Sequence, residues 1–259
     1  MSTPGDPALF RPVAYLVGAA RLVVAAGLVV AGTVAILASS RGPGRGGPER
    51  VAGALSRALL WTAGVRRDTV DADVLRQHRG FVFFNHLSYL DPLVLAAAAP
   101  MRFLATAGVR RLPLIGWVAT ALGTVYVSRS DGASRAATRE ALREAVSGAP
   151  LPFALAPEGR IGPGPAVLPL RHGAFEVAAD AGAPVRLVAI TFEPMADVRW
   201  HQGESLLAAC WRLCARLRPV TARLVVLGAL GPAERTDAAR QAALAARVLN
   251  RQLTGAASV

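Results

Sequence analysis

A chain of 259 residues holds one ordinary α/β domain plus a short appendage and argues against two full domains. Hydrophobic residues make up 53% and the mean hydropathy is +0.39, which excludes intrinsic disorder and suggests contact with something more apolar than water. The net charge is +12 with no lysine in the chain, so the basic excess is all arginine, which suits an anionic membrane surface or a phosphate-bearing ligand. Aromatic residues are only 6%, and no basic stretch is interleaved with stacking rings, which argues against nucleic acid as a partner.

In chain order, Leu22 to Ala38 is a run of seventeen residues without charge. As a helix it covers roughly 25 Å, slightly short of a bilayer core of about 30 Å. Extending it back to Ala14 admits only Arg21, which could snorkel to headgroups. The segment reads as a membrane helix, spanning or deeply embedded. A signal peptide competes, since Ala38-Ser39-Ser40 loosely resembles a cleavage site. Against it, Arg41, Arg45, Arg50 and Arg57 follow at once and resist export, and they place the rest of the chain at the cytoplasmic side of the cell membrane. After the Gly/Pro breaker at Arg41–Pro48, Glu49–Val65 carries Val51, Leu55, Leu59 and Leu60 at helical spacing. It reads as an amphipathic helix lying on the bilayer or, equally, as a helix covering a core. Residues 1–65 therefore form an anchoring segment and 66–259 a catalytic-size domain.

From about residue 74 short β-like runs alternate with helical ones. Strands are expected at 81–85, 101–106, 124–129, 152–157, 185–192 and 222–230. Helices are expected from Asp91-Pro92, then at 112–122, 134–147, 174–181, 206–217 and 234–253. That alternation gives an α/β fold with a mostly parallel or mixed sheet and helices on both faces. Cys210 and Cys214, spaced i,i+4 on an apolar helix, read as core packing, and with four scattered histidines they supply no metal-ligand cluster.

Four constellations sit at strand ends, where α/β folds place ligands. Asn85-His86-Leu87-Ser88-Tyr89-Leu90-Asp91 holds a histidine and an aspartate that a tight turn could bring together. The carboxylate would hold one ring nitrogen while the other takes a proton from a substrate hydroxyl. The bland alternative is that Asp91 merely caps a helix and His86 is a satisfied loop residue. Gly123 to Arg129 ends a strand on an arginine, whose planar donors suit phosphate. Pro157-Glu158-Gly159-Arg160 is a turn with opposite charges, and Gly182-Ala183-Pro184 leads into a core strand.

Together the four resemble the glycerophospholipid acyltransferase family over about residues 75–195. The Asn-His-x-Ser-x-x-Asp block is matched by Asn85, His86, Ser88 and Asp91. The second block is matched by Gly123, Tyr126, Val127 and Arg129, the third by Pro157, Glu158 and Gly159, and the fourth by Ala181, Gly182, Pro184 and the run to Ile190. One departure stands out: Arg160 follows the Pro-Glu-Gly turn directly, and Ile161 takes the usual arginine place. The resemblance implies that His86 is a general base oriented by Asp91. It places Asn85, Ser88, Arg129, Glu158, Gly159 and Arg160 at the acceptor. It further implies acyl transfer from acyl-CoA or acyl-carrier protein to the free hydroxyl of a lysophospholipid, 1-acylglycerol-3-phosphate first, with membrane lipids as partners. No metal, no bound cofactor and no covalent acyl-enzyme is called for. A lyso-ornithine lipid or glycerol 3-phosphate is the alternative acceptor. A non-catalytic membrane lipid-binding protein is the alternative class.

Overall fold

The computed structural model describes residues 7–40, 47–127, 132–147, 151–164, 166–201, 203–231 and 235–256. The chain opens with α1 (Pro7–Ser39), α2 (Gly47–Thr62), β1 (Val65–Val70), α3 (Ala72–Gln77), β2 (Phe81–Phe84) and α4 (Asp91–Ala98). It continues through β3 (Arg102–Thr106), α5 (Ala107–Arg110), α6 (Ile115–Ala121), β4 (Val125–Val127), α7 (Gly132–Val146) and β5 (Phe153–Leu155). It closes with α8 (His172–Asp180), β6 (Val185–Glu193), α9 (Leu206–Cys214), β7 (Val220–Leu230) and α10 (Ala238–Ala256).

The strands form one sheet in the order β1-β7-β6-β2-β5-β3-β4. Every pairing is parallel except β6 with β7. β2 lies mid-sheet, with Phe81 opposite both Phe153 and Val185. All four of its residues are buried, because helices cover both faces; such strands read as unbroken apolar runs. Phe81 and Phe83 point to one face with Phe153, Leu187 and Leu249. Val82 and Phe84 point to the other with Leu95, Ile190 and Leu224. The period of two thus splits one apolar run between two cores.

β1 is the strand that the apolar pattern did not announce. Its sequence is VRRDTV, and Arg66, Arg67 and Asp68 are exposed. An edge strand with a solvated face needs no apolar run. Backbone pairing to β7 makes it, helped by the Arg223–Asp68 ion pair at 3.4 Å.

α1 is 33 residues long and carries a stretch long and apolar enough to cross a membrane. It does not stand clear of the domain. Gly18 is buried where an added Cβ would lie 3.0 Å from the Ala215 Cα, and at Gly32 it would lie 2.5 Å from Leu55 Cδ2. Small residues here let the helix settle on α9 at one end and α2 at the other. Arg21, expected to snorkel outward, turns inward instead. Its Nη1 donates to the Cys214 carbonyl at 3.1 Å and the Arg216 carbonyl at 2.5 Å. The first is a carbonyl at the end of α9 that has no partner within the helix and the second lies two residues beyond it, and a cation there also meets the negative end of the helix dipole. The other side of α1, with Val13, Leu16, Val23, Val30 and Val34, is exposed. That apolar face is the structural basis of membrane association.

α2 resolves into a core-covering helix. It buries Ala52, Gly53, Ser56 and Leu60 and packs on α4. Gly53 sits where a Cβ would come within 2.9 Å of the Ala96 carbonyl oxygen. Trp61, on its outer side, is 81% exposed.

Candidate active site

The parallel strands β2, β5 and β6 end at the same edge of the sheet, and their following loops converge there. β2 delivers Asn85 and His86. The chain then turns tightly enough for His86 Nδ1 to reach Asp91 Oδ2 at 2.7 Å. Asp91 is the first residue of α4, with Pro92 behind it and Leu90 at the cap position, so the expectation that Asp91 caps the helix does not hold. Its carboxylate faces back into the turn instead. Besides the imidazole, Oδ2 accepts from the Leu87 amide at 2.8 Å and the Ser88 amide at 3.0 Å. Three donors on one oxygen fix the carboxylate, and the carboxylate fixes the ring.

Asp91 is fully buried, which pushes its carboxyl above the ordinary range; the bonds from His86, Ser88 and Leu87 pull the other way. Its second oxygen, Oδ1, is buried without a hydrogen-bond partner among the described residues. With Nδ1–H donating to Asp91, Nε2 is left as the proton-accepting nitrogen, and the His86 side chain is 23% exposed. A base with one nitrogen braced in the interior and the other open to substrate is the arrangement that proton abstraction requires.

The Pro157-Glu158-Gly159 turn comes from the end of β5 and locks His86 from the side. Glu158 Oε1 accepts from the His86 amide at 2.7 Å, and Oε2 accepts from the Leu168 amide at 2.8 Å. The Gly162 amide then donates to the His86 carbonyl at 2.7 Å. Both backbone polar groups of His86 are therefore held by one loop. Glu158 is 3% exposed, and burial pushes its carboxyl upward against the two amide bonds.

Other expected acceptor residues are placed inside the scaffold. Asn85 is fully buried; its Nδ2 donates to the Ile190 carbonyl at 2.8 Å and its Oδ1 accepts from the Ile190 amide at 2.7 Å, which staples the loop to β6. Ser88 is likewise buried, donating to the Val198 carbonyl at 2.8 Å and accepting from the Leu90 amide at 3.2 Å. The polar atoms of Asn85, Ser88 and Glu158 thus meet protein groups, where the expectation put substrate. These side chains tie the loop to β6, to the segment after it and to the turn that follows β5.

Gly159 adopts φ +70°, open to glycine at little cost, and an added Cβ would lie 2.6 Å from Arg171 Nε. Arg171, which the sequence reading passed over, therefore lays its guanidinium along the turn. Arg160 is exposed at the same turn, and Arg199 reaches across from the loop after β6 to the Pro163 carbonyl at 2.7 Å. Arg129 lies outside the described residues. The arginines that line this edge come from segments far apart in sequence, and only the folded sheet gathers them.

Cys210 is half-buried and Cys214 buried on α9, and burial pushes both thiols up, away from the thiolate a nucleophile needs.

An α/β sheet with a His–Asp pair at its strand ends, a Pro-Glu-Gly turn clamping the histidine and a cationic rim defines a class of group-transfer proteins. Residues 66–191 match the Acyltransferase family model. It is 32% identical over 133 residues to the lyso-ornithine lipid O-acyltransferase of Pseudomonas aeruginosa, covering 50% of this chain and 51% of that protein. It is 31% identical over 109 residues to the 1-acyl-sn-glycerol-3-phosphate acyltransferase of Neisseria gonorrhoeae, covering 42% of each. The aligned stretch spans about half the length of these curated relatives or less. The crystal structure of the 1-acyl-sn-glycerophosphate acyltransferase of Thermotoga maritima superposes with a TM-score of 0.73, over 96% of this chain and 98% of that one, at 18% identity. That likeness carries the fold, the N-terminal helices included.

Proposed function

We propose that the protein transfers a fatty acyl group from an acyl thioester to the free hydroxyl of a lysophospholipid at the cytoplasmic face of the membrane, most directly converting 1-acylglycerol-3-phosphate to phosphatidic acid. The observation that carries this reading is the 2.7 Å bond between His86 Nδ1 and a buried Asp91. Nε2 takes the proton of the acceptor hydroxyl as its oxygen attacks the thioester carbonyl. The tetrahedral intermediate then collapses, the carbon–sulfur bond breaks, and the imidazolium returns its proton to the departing thiolate. Asp91 stabilises that imidazolium without moving. General-base catalysis of this kind contributes about 10²–10⁴-fold, and the remainder comes from positioning the two reactants. The reaction as written uses no metal or bound cofactor, and the donor is acyl-CoA or acyl-carrier protein.

Arg160, Arg171 and Arg129 are the cations for the acceptor's phosphate, supported by the side chain of Arg171 lying along the Gly159 turn. The cytoplasmic placement is supported by the arginines that follow α1. A second acceptor, a lyso-ornithine lipid, is favoured by one observation: the similarity to the Pseudomonas aeruginosa protein of that name.

The test presents the purified full chain with labelled acyl-CoA and a panel of lysolipids, alongside His86→Ala. Diacylated phosphatidic acid formed by the native chain and lost, at least about a hundredfold, in the variant is the expected result. Product from lyso-ornithine lipid alone selects the second reading. Undiminished turnover by a folded His86→Ala protein would reject the mechanism.

A further inference from the structure

β3 and β4 run parallel to β2, so the segment between them leaves the sheet at the same edge as His86. Its course from α5 to α6 is unusual. Leu114 sits at φ 62°, ψ −56°, and the Ile115 amide donates to the Pro113 carbonyl at 2.7 Å. That is a γ-turn of the strained hand, centred on a bulky residue, and such backbone persists only where its surroundings enforce it. They do. An added Cβ at Gly116 would lie 2.3 Å from the Arg110 carbonyl oxygen, so only glycine closes the turn. The Gly116 amide donates to the Leu112 carbonyl at 2.8 Å, and Tyr126 Oη donates to the Gly116 carbonyl at 3.3 Å. On the inner side, Val118 and Leu122 pack against Ile36 of α1 and Ala52 of α2.

The outer side of this stiff turn is apolar where a soluble protein would be polar. Leu112, Ile115 and Trp117 are exposed, Trp117 at 57%. Arg110 and Arg111 stand immediately before them, both exposed, with the Arg110 guanidinium over the Tyr126 ring at 5.8 Å. Aliphatic and indole groups below a pair of arginines match the profile of an anionic lipid interface. The turn also stands directly on α1, whose exposed face is apolar as well.

We propose that Arg110–Trp117 is a bilayer-contact wedge separate from the N-terminal helices. It seats Leu112, Ile115 and Trp117 among the acyl chains while Arg110 and Arg111 meet lipid phosphates. It holds the mouth of the His86 site against the leaflet, so that an acceptor enters with its acyl chain still in lipid. The inference deepens the lysolipid reading and rests on it for its purpose, not for its geometry.

The full chain, reconstituted in phosphatidylcholine vesicles with and without phosphatidylglycerol, provides the test. Subtracting the fluorescence of Trp117→Phe from that of the native chain isolates the Trp117 signal. Phospholipids spin-labelled on the acyl chain should lower that signal roughly twofold or more, as for an indole seated at the interface, while aqueous iodide leaves it unchanged. A signal quenched by iodide and untouched by the lipid label overturns the proposal. So does one shielded from both, which would mean protein covers the turn. The variant Ile115→Glu/Trp117→Glu should lose about tenfold in turnover on vesicle-borne acceptor and keep its turnover on detergent-dispersed acceptor. Equal turnover on vesicles overturns the proposal. Lipid quenching of Trp117 in a preparation that transfers no acyl group would sink the enzymatic reading and leave the wedge standing.

Discussion

The two ends of this molecule's chemistry invert the usual arrangement of polar and apolar groups. Around His86 the polar side chains are interior: Asn85 and Asp91 are fully buried, Ser88 likewise, and Glu158 nearly so. Apart from the bond between Asp91 and the His86 ring, each spends its hydrogen bonds on backbone amides and carbonyls. Along α1 the apolar side chains are exterior, and the one charged group of the long apolar run, Arg21, is turned inward onto α9. The first arrangement keeps water from loosening the His86 loop; the second only makes sense beside a medium that is not water. A buried polar network stands or falls as a unit, whereas an exposed apolar face loses little by any one residue. That asymmetry makes the two regions separable by mutation.

The sharpest cut is Asp91→Asn. The shape is kept and the charge facing the imidazolium is lost, so turnover should fall by about a hundredfold or more with the acceptor KM nearly unchanged. A change confined to KM would assign Asp91 to binding. Next is Glu158→Gln. One of its two amide-accepting oxygens becomes an NH₂ that faces the His86 or Leu168 N–H, costing about 1–3 kcal/mol. Thermal unfolding in detergent should report that loss as a drop of several degrees, with turnover falling alongside it. Arg21→Met should cost about 1–2 kcal/mol by leaving the carbonyls at the end of α9 without their donor. Faster hydrogen exchange along α9, with the His86 loop unaffected, is the signature that keeps the two regions distinct; equal loosening of both would erase the contrast.

The smallest effect is the pH dependence of stability. Asp91 and Glu158 both have carboxyls raised by burial, so the folded state holds their protons more tightly than the unfolded chain. The folded state then binds more protons, and stability is greatest below the unfolded values near pH 4 and declines as pH rises through the raised native ones. Denaturant melts across that window should show the decline, and Asp91→Asn should flatten it. Stability rising with pH there would contradict the direction of both shifts.

Much of this was legible in the sequence because the central strands are apolar on both faces. FVFF at β2 and VRLVAITF in β6 can hardly be anything else in an α/β chain. The five-residue spacing of His86 and Asp91 was visible, and the turn that joins them follows from a strand ending just before a helix. β1 was not legible, since an exposed edge strand made of Arg66, Arg67 and Asp68 carries no periodic signal. The inward path of Arg21 was not legible either, because whether an arginine snorkels or caps depends on carbonyls 193 and 195 residues away. Asn85, Ser88 and Glu158 were legible as required polar positions, but not their bonds to the Ile190, Val198, His86 and Leu168 backbone, which depend on segments distant in sequence. A motif records where polar groups are required, and only packing tells whether a backbone or a ligand uses them.

The clamp on His86 has a mechanical corollary. One loop grips both its amide, through Glu158, and its carbonyl, through Gly162. Any shift of that loop moves both backbone anchors of His86 together, so the aim of its imidazole is set by a segment that follows it by some seventy residues rather than by its own strand.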